Sequence, residues 1–219
     1  MKFKAVIFDL DGTLLDTIED LTESMNSALS MMGYPGRTTE ECKQLVGDGI
    51  DVFIQRALPS QARGNPEIAD RLKKLMRSEY HRRGELSTRP YGGISELLDA
   101  LTERNISLAI LSNKPHDSTL RVTKKFLSRW SFQAILGARD GVPIKPDPTA
   151  ALEIAHILNL PPAAILYVGD TNTDMWTADA AGMYAVGALW GFRTAEELIN
   201  SGAKILISKP PELLSLLAS

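Results

Sequence analysis

The 219-residue sequence predicts an α/β fold: a parallel sheet core flanked by helices, with a small α-helical domain inserted after the first strand. Three observations predict it. Short, almost continuously apolar runs recur along the chain, as strands buried on both faces do. Amphipathic stretches separate them, and strand–helix alternation builds parallel sheets. One stretch, residues 16–86, breaks the alternation with helical periodicity alone.

The first strand is expected at 4–9. Ile18, Leu21, Met25, Ala28, Leu29 and Met32 then recur at three- and four-residue steps, the apolar face of a helix that ends at Gly33 with Pro35 just beyond. Further helices are expected at 39–46, 50–58 and 66–82. After them the alternation resumes, with helices at 94–104, 117–128, 148–159, 174–181, 194–201 and 211–217. The strands between are expected at 106–111, 132–136, 164–168, 184–188 and 204–207. The domain reading is therefore 1–15 and 87–219 for the α/β core, and 16–86 for the helical domain.

Composition removes several function classes. The 24 basic residues against 27 acidic ones leave a net charge of −3, which argues against a nucleic-acid partner. No apolar run approaches the roughly 20 residues that span a bilayer, so no membrane is expected. Asp9 arrives too early for a signal peptide. A single Cys42 excludes an internal disulfide or a cysteine-based zinc cage and suits a reducing cytoplasm. Dinucleotide-binding, P-loop, HExxH and CxxC patterns are all absent. His81, His116 and His156 are scattered and read as structural. Arg71, Lys73, Lys74, Arg77, Arg82 and Arg83 read as one solvated helix face.

Open parallel sheets bind ligands beyond the carboxyl ends of their strands, so the residues just past each strand carry the chemistry. The first strand runs into Asp9-Leu10-Asp11-Gly12-Thr13, the second into Ser112-Asn113-Lys114-Pro115. After the third comes Lys145 between Pro143 and Pro146, and after the fourth Gly169-Asp170, with Asp174 four residues on. Singly, each has a plain structural reading: Asp11-Gly12 as a turn, Ser112 as a turn start, Lys145 as a solvated loop residue, Asp174 as a helix cap. Together, four core strands deliver carboxylates, a hydroxyl and an ammonium to one sheet edge. Clustered carboxylates want a hard cation, and Mg²⁺ with oxygen ligands fits best. A Lys and a Ser beside it suit a phosphoryl group.

These residues, in this order and over nearly the whole chain, resemble the four motifs of the haloacid dehalogenase superfamily of phosphohydrolases. The resemblance implies a Rossmann-like core, with 16–86 as the mobile cap. Val46-Gly47-Asp48-Gly49, Ser112 to Pro115, Lys145 to Pro148 and Trp190-Gly191-Phe192-Arg193 are similar to the phosphoglycolate phosphatase branch. Asp9 is then expected as a carboxylate nucleophile that forms an aspartyl-phosphate, and Asp11 as the general acid and base. Mg²⁺ is expected at Asp9, Asp170, Asp174 and Asp11, the last through its backbone carbonyl. Gly12, Thr13, Ser112, Asn113 and Lys145 are expected to bind the phosphate. Asp11 favours phosphoryl transfer, because the haloalkanoate dehalogenases lack an acid there. In the cap, Gly47 and Gly49 are expected to line the far end of the substrate, and Arg56 to meet a substrate carboxylate.

The expected activity is hydrolysis of a small-molecule phosphate ester, 2-phosphoglycolate first, by a monomer or homodimer. An inorganic pyrophosphatase, a sugar-phosphate phosphatase or a phosphomutase is the alternative within this chemistry. A non-catalytic binding module is the rival from another class, and the presence of both Asp9 and Asp170 argues against it.

Overall fold

Every position of β1 (Ala5–Phe8) is apolar because both of its faces are covered. Val6 and Phe8 belong to one hydrophobic cluster and Ala5 and Ile7 to another, the division a two-residue side-chain period makes. All four are fully buried, and burial of a Val, Ile or Phe side chain contributes about 1.5–3 kcal/mol. The computed structural model describes residues 3–83 and 85–217.

After β1 come β2 (Leu15–Asp16), α1 (Ile18–Met31), α2 (Thr39–Leu45), α3 (Ile50–Ala57) and α4 (Pro66–Arg83). The chain returns through β3 (Arg89–Pro90), which pairs with β2 in a two-strand ribbon. The alternation then runs α5 (Ile94–Glu103), β4 (Ser107–Pro115), α6 (His116–Phe126), β5 (Ala134–Ala138), α7 (Thr149–Ile157), β6 (Ile165–Gly169), α8 (Asn172–Ala180), β7 (Tyr184–Ala188), α9 (Ala195–Asn200) and β8 (Ile205–Ile207). Pro210–Leu217 closes the chain as a 3₁₀ helix. Two compact units result, Met1–Leu15 with Pro90–Ser219, and Asp16–Arg89.

The main sheet has the order β5-β4-β1-β6-β7-β8, and its strand pairs are parallel. This is the α/β class read from the sequence. The chain fills one side of β1 with β4 and β5, then crosses to fill the other with β6, β7 and β8. Such a reversal opens a crevice at the carboxyl ends of the central strands. Asp9, Ser112 and Asp170 come from three adjacent strands there.

Within the inserted unit, the Asp20 carboxylate is almost fully buried. It accepts from the backbone N–H groups of Leu86, Ser87 and Thr88 at 2.7–3.2 Å and from the Thr88 hydroxyl at 2.6 Å. One carboxylate of the outgoing helix thus fixes the returning segment. The basic face of α4 is largely ion-paired: Lys73 with Asp51, Lys74 with Asp70, Arg82 with Glu79, and Arg83 with Glu23.

Several elements depart from expectation, three of them at the insert or beside the sheet edge. The return crossing lies at Arg89–Pro90, beyond the 86/87 junction, because a two-residue strand carries no periodicity. α8 starts two residues before 174 because Thr171, not Asp174, is its N-cap. β4 runs on to Pro115 through a register irregularity between Leu111 and Pro115. Bulges of this kind re-aim side chains near active sites.

Candidate active site

Asp9 extends the ladder of β1 by donating its N–H to the Val168 carbonyl at 2.9 Å. The chain then turns tightly, with the Leu14 and Leu15 N–H groups both donating to the Leu10 carbonyl at 3.0 and 2.9 Å. Gly12 sits in this turn at φ 90°, and a Cβ there would lie 2.3 Å from Asp170 Oδ2. Only a residue without a side chain fits. Asp170 is held from two further directions. The Thr13 hydroxyl donates to Oδ1 at 2.7 Å, and the Phe192 N–H donates to Oδ2 at 2.9 Å.

Lys145 reaches the same place from the loop after β5 and is 3% exposed. Its backbone is clamped by Asn113: the Lys145 N–H donates to Asn113 Oδ1 at 2.9 Å, and Asn113 Nδ2 donates to the Lys145 carbonyl at 3.0 Å. The ammonium donates to Asp174 Oδ1 at 2.7 Å and lies 2.9 Å from Asp9 Oδ1. Asp174 Oδ2 accepts from the Thr171 N–H and hydroxyl at 3.1 and 2.8 Å. The residue read from sequence as a possible helix cap therefore braces α8 with one oxygen and meets Lys145 with the other.

Among the described residues, carboxylate oxygens of Asp9, Asp170 and Asp174 lie within 4.8 Å of one another, and all three side chains are buried. Burial, reinforced by Asp174, pushes the Asp9 carboxyl well above the ordinary carboxylate range against the opposing pull of Lys145. The same two causes raise Asp170 to about 7. Burial works to lower Lys145, but Asp174 and Asp9 outweigh it and leave the ammonium strongly held in its charged form. Were all three ionised, one ammonium would leave two negative charges uncompensated, a costly arrangement in a desolvated site that the raised Asp9 and Asp170 reflect. Asp9 Oδ1 is also buried without a well-aligned hydrogen bond. Three buried oxygen donors and a deficit of two charges in the ionised form fit a hard divalent cation.

The Asp11 carboxylate does not join this trio. It faces Lys114, whose Nζ lies 3.0 Å from Oδ2 and 3.2 Å from Oδ1. The buried Ser112 hydroxyl oxygen accepts from the Lys114 N–H at 3.2 Å, which leaves its own proton for a ligand. Thr13 and Asn113, expected at the phosphate, commit their side chains to Asp170 and to the Lys145 backbone. In the inserted unit, Gly47 and Gly49 take φ 125° and 87° on either side of Asp48, and Gly49 caps α3. Arg56 is ion-paired with Asp48 at 2.6 Å.

Sequence reasoning marked the stretches 112–115 and 190–193 by resemblance alone and gave no role to the Phe192 amide or to Lys114. Gly191 was a signal for the first, since a Cβ there would lie 2.2 Å from Asp170 Cβ. Nothing in a lysine flanked by Asn113 and Pro115 distinguishes it from a solvated one.

Residues 6–188 match the family model of the haloacid dehalogenase-like hydrolases. The chain belongs to that family. It is 30% identical over 217 residues to a phosphoglycolate phosphatase of Vibrio vulnificus strain YJ016, covering 97% of this chain and 95% of the relative. A phosphoglycolate phosphatase of Mannheimia succiniciproducens is 33% identical over 196 residues, 87% of this chain and 88% of its own. A crystal structure from Haemophilus somnus 129PT, described as a predicted phosphoglycolate phosphatase, superposes with a TM-score of 0.92 at 28% identity over 99% of both chains. Within the family, this chain is a phosphatase, a phosphoric monoester hydrolase.

Proposed function

We propose that this phosphatase is Mg²⁺-dependent and hydrolyses 2-phosphoglycolate to glycolate and phosphate through an aspartyl-phosphate on Asp9. The observation that carries the chemistry is the buried trio of Asp9, Asp170 and Asp174 facing a single ammonium. The substrate rests on the similarity to the phosphoglycolate phosphatases of Vibrio and Mannheimia.

An anionic nucleophile about 4 Å from a phosphate dianion meets roughly 8 kcal/mol of repulsion at an effective dielectric of 20. That is about six powers of ten in rate. Asp9, Asp170 and Asp174, with the Asp11 carbonyl, would hold Mg²⁺, which supplies charge neutralisation between nucleophile and phosphate when bound. Lys145 supplies the second positive charge at the same oxygens. The Ser112 hydroxyl donates to the phosphoryl oxygens as negative charge spreads over them. Thr13 acts one step back, by fixing Asp170, and Asn113 acts by fixing Lys145.

An Asp9 oxygen attacks phosphorus, and the electron pair of the breaking P–O bond goes to the leaving oxygen. Asp11 gives that oxygen its proton. Asp11 then takes a proton from the water that attacks the phosphoryl group, and Asp9 is released as carboxylate. The helical unit is the cap in this reading, and the Gly47–Gly49 loop selects the substrate. Arg56, whose Nη1 pairs with Asp48, meets a substrate carboxylate through its remaining donors in this reading. The chain acts as a monomer or homodimer in this reading. The buried, unpaired Cys42 suits a reducing cytoplasm. No helix among the described residues is long and apolar enough to cross a membrane.

The test is phosphate release from 2-phosphoglycolate, pyrophosphate and several sugar phosphates, with Mg²⁺ and with EDTA. A Mg²⁺-dependent preference for 2-phosphoglycolate, abolished in Asp9→Asn, is expected. Highest activity on pyrophosphate or a sugar phosphate overturns the substrate. Normal turnover by Asp9→Asn, checked by mass for deamidation, overturns the nucleophile.

A further inference from the structure

We propose that Lys114 is a positioning residue for proton transfer at the leaving group: it holds the Asp11 carboxyl in the place from which the proton is given and taken. The proposal rests on the reading of Asp11 as the acid and base.

The pair is built rather than incidental. Lys114 Nζ is within 3.2 Å of both Asp11 oxygens, so it fixes the plane of the carboxyl as well as its location. The two side chains are only 6% and 12% exposed. A surface pair at this spacing is screened and loosely held. A desolvated one is strongly oriented, and removing one partner leaves the other uncompensated.

The lysine backbone is also fixed. Its N–H donates to Ser112 Oγ at 3.2 Å, and its carbonyl accepts from the Thr119 hydroxyl at 3.1 Å. A Cβ on Gly137 would lie 2.7 Å from that carbonyl, so the chain is packed closely on that side too. Pro115 comes next and restricts the Lys114 backbone to extended conformations. The register irregularity of β4 falls between Leu111 and Pro115, the stretch that carries Lys114.

The acidic trio supplies the reason for such a clamp. Asp11 is two residues from Asp9, in a site that already carries three buried carboxylates. Lys145 serves Asp9 and Asp174, so it is not the cation that holds Asp11. Lys114 gives Asp11 a cation of its own, which keeps its carboxyl apart from the trio. The division of labour is two lysines for two tasks, one at the phosphoryl group and one at the proton carrier.

Leaving-group chemistry tests this directly. An alkyl phosphate such as 2-phosphoglycolate expels an alkoxide that must be protonated, whereas p-nitrophenyl phosphate expels a stable phenolate. Lys114→Met is expected to lower kcat on the alkyl ester by about 100-fold, the lower range for general acid catalysis, and to change the single-turnover rate of p-nitrophenolate release from the aryl ester by less than about threefold, because that step alone needs no proton from Asp11. Retained p-nitrophenolate release also reports that the variant folds. KM should be little changed for the alkyl ester. Lys114→Arg should restore most of the alkyl rate, because it keeps the charge at that position. In an Asp11→Asn background, Lys114→Met should add nothing further.

An equal loss of alkyl turnover and of single-turnover p-nitrophenolate release, or no loss of either, overturns the proposal while leaving Asp11 in its role. If Asp11→Asn itself slows single-turnover p-nitrophenolate release as much as alkyl turnover, the reading of Asp11 as the acid falls and the proposal falls with it.

Discussion

Gly169 sits at the last position of β6, where a Cβ would lie 2.3 Å from the Cβ of Asp174. Its value is the space it leaves. Asp174 can reach Lys145 and Thr171 together only because nothing projects from the strand beneath it. We expect Gly169→Ala to destabilise the fold by about 1–3 kcal/mol, as overpacking does. It should also depress phosphatase activity by pushing Asp174 off Lys145. Thermal unfolding and phosphate release check both, and an unchanged melting temperature would refute the packing argument. At this scale the sequence was informative where residue type is rare for its context. An Asp-x-Asp leaving an apolar strand, or a Gly before Asp170, stands out. The task of Lys114 did not, and Asn113, expected at the phosphate, instead clamps the Lys145 backbone, since their partners lie 103 and 32 residues away.

Helices announced themselves through periodicity, and α1, α3 and α4 lie within a residue or so of expectation. β2 and β3 are two residues each and show no pattern to read. The closing segment reads as a helix from its apolar spacing yet takes the tighter 3₁₀ form, after consecutive prolines at 210 and 211 that offer no backbone N–H. Asp20 is the element-scale feature that pattern reasoning overlooked, because an acid in a helix's first turn has an ordinary explanation in the helix dipole. Its actual role is to collect the donors of Leu86, Ser87 and Thr88. We expect Asp20→Ala to cost about 2–3 kcal/mol, since it leaves buried donors without an acceptor. Amide hydrogen exchange at residues 86–88 should accelerate. Unchanged protection there would show that the segment is held by something else.

Over the whole molecule, the decisive signal was coincidence: four strands sending polar groups to one edge. The sheet makes that coincidence physical by placing β4 and β6 on either side of β1. The number of carboxylates was legible, but their allocation was not, because which acid faces which lysine depends on side-chain direction. The charge deficit at the trio has a molecular consequence. A cation bound only by the folded chain stabilises it by RT ln(1 + [L]/Kd), about 2.7 kcal/mol at one hundred times Kd. For a chain of this length that corresponds to a rise in melting temperature of roughly 5–10 °C with saturating Mg²⁺. EDTA should reverse it, and Asp170→Asn should blunt it. A melting temperature indifferent to millimolar Mg²⁺ would remove the metal from the site.

The paired strands β2 and β3 make the inserted unit a detachable module in the topological sense. It begins at Asp16 and ends at Arg89, whose side chains lie 3.7 Å apart, so its two ends occupy a single doorway. A segment whose ends already meet places no stretching demand on the sheet it interrupts, and loop closure depends only weakly on the length enclosed. Inserts of quite different size can therefore be spliced at the same doorway while β1 keeps its neighbours.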